Sequence, residues 1–190
     1  VKAYRPDSNS ISSGQVLQCA YPADKAKLVL REMADALALD LVDKGLVTDQ
    51  IVVSIGYDAG NLNDPTRSFG GEVETDRYGR SVPKAAHGSQ NLGQHTSSAK
   101  RIMSAASELF DRVADKRLLV RRMYIVANNV LPDSDAPKRN DFVQLDIFTD
   151  LEAEEKKQKA ESAELEREKK LQKATLEIKK KFGKNAILKA

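Results

Sequence analysis

The residue types that most often carry out chemistry are few and scattered in this sequence. His87 and His95 bracket Gly88 and Gly93; a zinc site would want further His, Cys or carboxylate ligands at close spacing, so both read as polar loop histidines. Cys19 precedes Tyr21-Pro22 with no strong helix-terminus or basic signal to activate its sulfur, and a packed, inert thiol is expected. Asp133 and Asp135 fall in a Pro/Asp-rich connection and read as solvated loop carboxylates. No G-x-x-x-x-G-K-[ST], G-x-G-x-x-G or G-x-S-x-G run is present, which removes the phosphate-cradling loop and the nucleophile elbow. The chain is expected to catalyse nothing by itself. The informative pair is Arg122 and Tyr124, alternate residues of 118–130 (LLVRRMYIVANNV). A strand puts them on one face with Val126 and Asn128, while Met123, Ile125 and Ala127 take the other.

The elements that must position this pair follow from periodicity. Residues 10–17 read as a short strand, and Tyr21-Pro22-Ala23-Asp24 opens a helix running to Lys44, whose Ala26, Leu30, Met33, Leu37 and Leu41 form one stripe before Gly45 ends it left-handed. Residues 50–58 (QIVVSIGYD) alternate as a second strand, with Ile51, Val53, Ile55 and Tyr57 on one face and Val52, Ser54, Gly56 and Asp58 on the other. Residues 59–84 hold four Gly and two Pro, too long for an ordinary connection. Within them 72–74 and 80–82 pair as an exposed, mobile hairpin insertion around Asp76-Arg77-Tyr78-Gly79. Residues 85–92 give a weak third strand. Thr96 or Ser97 then caps a second helix, with Ile102, Ala106, Leu109 and Val113 on one face and an end near Asp115.

The predicted fold class is therefore α+β: a four-stranded antiparallel sheet in the order β-α-β-β-α-β, with two helices on one face. The other face is left to solvent or a ligand. Arg122 and Tyr124 project there by parity, and the small Ser54 and Gly56 would let a bulky backbone come close. By residue number, 1–9 lead in, 10–131 form the domain, 132–150 a linker and 151–190 a charged helical tail.

Composition fits this division. The 190 residues, 41% hydrophobic and 5% aromatic, suit one modest domain plus an extension. The start at Val1, without a basic and then apolar lead, reads as a piece of a longer chain with no signal peptide. No run approaches a membrane span and the lone Cys19 cannot make an internal disulfide, so a soluble, cytoplasmic protein is expected. Residues 1–150 carry 19 basic and 20 acidic side chains and 151–190 carry 12 and 8, so the net charge of +3 belongs to the tail. The domain itself can attract phosphates only through a local patch.

In the tail, Glu152 with Lys156, Glu155 with Lys159, Glu166 with Lys170 and Glu177 with Lys181 stand at the favourable i,i+4 spacing. Leu151, Leu165 and Leu171 are too sparse for a heptad seam, so a solvated helix held by local ion pairs is expected rather than a coiled coil. Gly183 breaks it before Ala186, Ile187 and Leu188.

Past the linker, Gln144-Leu145-Asp146-Ile147-Phe148 sets a Gln before apolar anchors, one aromatic. Leu145, Ile147 and Phe148 can fill an apolar cleft on a partner while Gln144 makes directional hydrogen bonds. The pentapeptide resembles the bacterial sliding-clamp-binding motif. The whole chain resembles the C-terminal part of Y-family translesion DNA polymerases of the UmuC, or ImpB/MucB/SamB, type. The resemblance runs through 9–15 (NSISSGQ), 52–58 (VVSIGYD) and 120–129 (VRRMYIVANN), and 181–188 (KFGKNAIL) is similar to the tails of UmuC-like proteins from Gram-positive bacteria. The long insertion and the weakly basic third strand, Ala86-His87-Gly88-Ser89, depart from the Arg-containing strand of many members.

The resemblance implies a little-finger domain whose open face lies along primer–template DNA, with roles in repair, damage tolerance and the SOS response. On it, Ser12, Ser13, Ser54, Ser89, Arg122 and Tyr124 are expected on or near the face that meets phosphates, with Lys84, Thr96, Ser97 and Arg101 adding contacts at the start of the second helix. The implied partners are primer–template DNA and the sliding clamp. No cofactor is expected in these residues; the parent polymerase would use Mg in a palm that they do not include. Two rivals stay open: an RNA-binding module of the RRM kind, although residues 86–92 lack the aromatic third-strand signature, and a purely structural interaction protein.

Overall fold

Alternation and helical stripes resolve into ten elements in the computed structural model, which describes residues 9–64, 69–137, 151–183 and 186–187. In chain order they are β1 (Ile11–Tyr21), α1 (Ala23–Lys44), β2 (Leu46–Tyr57), β3 (Val73–Thr75), β4 (Ser81–Pro83), β5 (Ala86–Thr96), α2 (Ala99–Val113), β6 (Val120–Asn128), β7 (Leu131–Pro132) and α3 (Leu151–Phe182). The fold is α+β with an antiparallel sheet in the order β1-β6-β2-β5, and β7 adds a short pairing to the start of β2.

Register divides the sheet into two chemistries. On one side Ile51, Val53 and Ile55 of β2 stand beside Ala127, Ile125 and Met123 of β6, all fully buried under Leu30 and Leu41 of α1 and Ile102, Leu109 and Phe110 of α2. α2 settles closely on β5 because Gly88 has no side chain: a Cβ there would lie 2.8 Å from Val113 Cγ1 and 3.0 Å from Leu109 Cδ1. Gly45 ends α1 at φ 65°, the left-handed turn its position demands.

Several expectations are corrected. β1 continues to Tyr21 and leaves Cys19 exposed rather than packed, because the pairing with β6 slips between Val16 and Tyr21 and lets the intervening residues swing outward. His87 and His95 belong to β5, which outruns its weak apolar pattern by pairing with β2 as far as Thr96. α2 is capped by Ser98, not Thr96 or Ser97: Ser98 Oγ accepts from the Arg101 N–H at 3.2 Å. Thr96 is instead buried in β5, where its Oγ1 accepts from Ser98 N at 3.0 Å. The start of the expected linker is β7, held by Val130 N on Asn9 O at 3.0 Å and Asp133 N on Gly45 O at 2.9 Å. Residues 1–8 of the lead and 138–150 of the linker lie outside the described residues.

The insertion is built on a buried polar residue. Asn61, fully buried in a short 3-10 turn (Ala59–Leu62), donates to Asp58 O at 2.8 Å and Leu119 O at 2.9 Å and accepts from Leu119 N at 2.8 Å. It ties the exit of β2 to the entry of β6. From there the β3–β4 hairpin folds back, with Val82 buried and β4 in contact with the turn. Asn61→Ala would strand the Leu119 amide and is expected to cost about 2 kcal/mol, read as a lowered urea midpoint at unchanged slope.

Candidate nucleic-acid interface

The side of the sheet away from α1 and α2 carries rows of small and polar residues. Ser12, Val126, Val52 and Ser89 form one row across β1, β6, β2 and β5; Gly14, Tyr124, Ser54 and His87 form the next; Val16, Arg122 and Gly56 form a third. At one end, Gln50 Nε2 donates to Asn91 Oδ1 at 2.9 Å, and Asn128 Nδ2 donates to Gln50 Oε1 at 3.0 Å.

Two glycines determine how the large side chains lie. A Cβ at Gly14 would sit 2.5 Å from Tyr124 Cε1, and one at Gly56 would sit 2.5 Å from Arg122 Cγ and 2.6 Å from its Nε. Tyr124 and Arg122 therefore lie down across the neighbouring strands, and Tyr124 remains 43% exposed. Gly56 does not leave room for an incoming backbone, as its size suggested, because Arg122 already covers it. Among the described residues Arg122 makes no ion pair, so its charge is available to an outside anion.

A β-bulge adds a second cation. Tyr57 pairs with Val120 and Gly56 with Arg122, leaving Arg121 between them without a partner in the ladder. Strict alternation would bury Arg121. Instead it lines the same cleft as Arg122, 3.8 Å from Asp58 and donating to Gln18 O at 3.0 Å. Sequence reasoning missed Arg121 because a bulge changes the parity of one residue without altering the pattern around it.

The remaining residues separate. Ser12, Ser54, Ser89, Arg122 and Tyr124 share the open side, whereas Ser13 pairs with Ile125 and belongs by register to the helix-covered side. Lys84 lines a different cleft, beside Val113 and Leu118, and pairs with Glu72 at 2.5 Å. That contact, by hydrogen bond and then charge, pushes the ammonium up and the Glu72 carboxyl down.

The start of α2 is engaged by the chain itself. Glu168 of α3 accepts from Ser98 Oγ at 2.6 Å and from Lys100 N at 2.9 Å, and Gln172 donates to Ser97 O at 3.0 Å. Arg101 lines this contact with Glu164 and Leu165. Helix-start amides favour an anion, and here the anion is a carboxylate of the tail. Glu168 thus holds the helix-start groups beside which Thr96, Ser97 and Arg101 are expected from sequence to meet a phosphate. Further ion pairs of Lys169 with Asp133 and of Lys180 with Asp43 bind α3 to the domain, so its described ion pairs are long-range, and the expected local pairs of Glu166 with Lys170 and Glu177 with Lys181 do not form among the described residues. The expected motif Gln144, Leu145, Asp146, Ile147 and Phe148 lies outside the described residues.

The domain thus has one helix-covered side and one open side that bears an unpaired Arg beside an exposed Tyr. Residues 8–147 match the model of the impB/mucB/samB family C-terminal domain, and the chain belongs to that family, the C-terminal domain of Y-family DNA polymerases. No curated protein matches the sequence. Among the described residues no helix is long and apolar enough to cross a membrane.

The α3 contact makes two measurable statements. Glu168→Ala removes two hydrogen bonds to a charged acceptor and is expected to weaken docking by about 1–2 kcal/mol, read as faster amide exchange over α3. The Lys100 ammonium, 2.8 Å from Glu164, holds that carboxyl below its usual range, by hydrogen bond first and charge second. Its contribution is therefore complete above the ordinary Glu value of about 4.3 and is lost as pH falls through the lowered one. The protection of α3 amides, taken relative to their intrinsic exchange rate at each pH, should fall in acid below about pH 4 and stay constant above about pH 5.

Proposed function

We propose that this chain is the DNA-gripping and clamp-docking part of an error-prone translesion DNA polymerase, active in damage tolerance in the cytoplasm. The open side lies along the backbone of primer–template DNA, with Arg122 as its cation and Ser12, Ser54, Ser89 and Tyr124 supplying hydrogen-bonding hydroxyls around it. The carrying observation is that Arg122 lies flat on Gly56 beside an exposed Tyr124, with no carboxylate paired to it among the described residues. Contacts to phosphate position a duplex without reading its sequence, which suits an enzyme that must accept damaged bases. Family membership supports the same reading.

The clamp contact is proposed from the motif alone: Leu145, Ile147 and Phe148 enter an apolar cleft of a bacterial sliding clamp, while Gln144 fixes orientation and Asp146 spaces them. Nucleotide transfer, with its Mg, would belong to a palm elsewhere in the parent. Among the described residues no three His, Cys, Asp or Glu side chains gather as a metal site requires. The RRM alternative, which stacks bases on aromatic residues of the strands themselves, gains no support from the sheet, where Tyr124 is the sole aromatic residue on the open side among the described strands.

Arg122→Ala is expected to weaken binding to blunt duplex DNA about three- to tenfold and to lower the salt slope by about one. An unchanged slope would remove Arg122 from the interface. A Gln144→Ala, Phe148→Ala double variant should abolish micromolar-range binding to a sliding clamp, on the order of −8 kcal/mol, while leaving duplex binding intact.

A further inference from the structure

The β3–β4 hairpin is the part of the sequence that the grip on duplex DNA does not use. Its tip is firmly built. Asp76 Oδ1 accepts from Tyr78 N and Arg80 N, both at 2.9 Å, its Oδ2 accepts from Arg80 Nη2 at 2.8 Å, and Gly79 turns the chain at φ 77°. Tyr78, at this turn, is 67% exposed. The guanidiniums of Arg77 and Arg80 stand 4.8 and 5.4 Å from its ring centroid, and Arg77 also donates to its hydroxyl at 2.5 Å. Folding back, the hairpin encloses a cleft of about 450 Å³ against the open side of the sheet, lined by Arg77, Tyr78, Arg80, Arg121, Arg122 and Tyr124.

The charges of this cleft have an order. Asp76 is neutralised by Arg80, and Asp58 faces Arg121. Glu74 lines the cleft and accepts from the Ala85 N–H at 3.2 Å. Arg77 and Arg122 are left without a carboxylate partner among the described residues, next to two exposed phenol rings. Exposed aromatic rings beside unpaired guanidiniums are the two components of sequence-tolerant single-strand binding, stacking for the base and charge for the phosphate. The volume lies in the roughly 300–1,000 Å³ range of small-ligand pockets, room for a nucleotide unit rather than a double helix. Bases of an intact duplex are stacked inward and cannot reach a ring within such a cleft.

We propose that the cleft between the hairpin tip and the open side of the sheet binds single-stranded DNA, stacking a base on Tyr78 and holding its phosphate on Arg77, next to the Arg122 that meets the duplex backbone. The inference deepens the proposed grip on primer–template DNA and rests on it for where the strand would run: the sheet holds duplex backbone, and the hairpin takes the adjoining unpaired strand.

The test measures fluorescence anisotropy of the full chain with three probes at one salt concentration: a blunt duplex, the same duplex with a 5′ single-stranded extension, and an oligo-dT. The unaltered chain should bind the extended duplex about tenfold more tightly than the blunt one. Tyr78→Ala should erase that increment and weaken oligo-dT binding about tenfold while leaving blunt-duplex affinity unchanged. Tyr78→Phe should retain both, since the ring remains. The Asp76 bonds to the tip use Tyr78 only through its main-chain N–H, so either substitution keeps the hairpin. An extension that adds nothing, or a Tyr78→Ala chain that binds extended duplex as before, would overturn the inference and leave the duplex grip standing. Tyr78-dependent oligo-dT binding without any blunt-duplex binding would uphold it and overturn the grip. Loss of all binding in the unaltered chain would overturn both.

Discussion

The placement of β6 between β1 and β2 is the constraint on which the rest depends. A strand bonded on both edges has no freedom of register, because a slip of one residue would exchange Met123, Ile125 and Ala127 with Arg122, Tyr124 and Val126. The first set is fully buried, so the exchange would bring an Arg and a Tyr into a helix-covered core. Apolar burial thus fixes, at no further cost, which side chains meet the outside. Gly14 and Gly56, opposite Tyr124 and Arg122, complete the arrangement: they remove the Cβ atoms that would otherwise hold these long side chains upright.

The second level of order is polar. Asn61 and Asp76 have no apolar reason to be where they are, yet each gathers several main-chain groups that would lack partners without it. Asn61 closes the exit of β2 onto the entry of β6, and Asp76 closes the hairpin tip on itself. Between them they convert an insertion rich in Gly into a wall facing Arg121 and Arg122. The bulge at Arg121 belongs to the same corner, since the slip that frees it lies where β2 leaves the sheet.

What the sequence made legible was what periodicity encodes. The stripe of α1, its stop at Gly45 and the alternation of β2 and β6 are all dictated by local patterns that tertiary structure did not override, whereas the hairpin expected at 72–74 and 80–82 pairs one residue later on each strand, 73–75 with 81–83. Features that depend on a single residue's surroundings were not legible. Ser98 rather than Thr96 or Ser97 caps α2 because Thr96 is held inside β5. Ser13 lies on the covered side because β1 pairs with β6 in one register and not its neighbour. The β5 strand has hardly any apolar alternation of its own and exists through its pairing with β2. The union of Glu168 with the start of α2 joins residues 70 apart in sequence, and nothing local announces it.

That last contact changes what a nearly neutral domain can offer a polyanion. With only 19 basic against 20 acidic side chains over residues 1–150, affinity cannot come from overall charge and must come from which cations are left unpaired. Lys84, Lys100 and Arg80 each have a carboxylate of the chain beside them, and each phosphate they accept would displace an existing partner. Arg122 requires no such exchange, and Arg77 gives up no carboxylate, only its bond to the Tyr78 hydroxyl. Both lie at the hairpin end of the open side, so the free charge is concentrated there although the serine rows extend across the whole sheet. A backbone laid along those serines would be held loosely by neutral hydroxyls over most of its length and firmly at one corner, which permits it to advance while keeping its position against that corner.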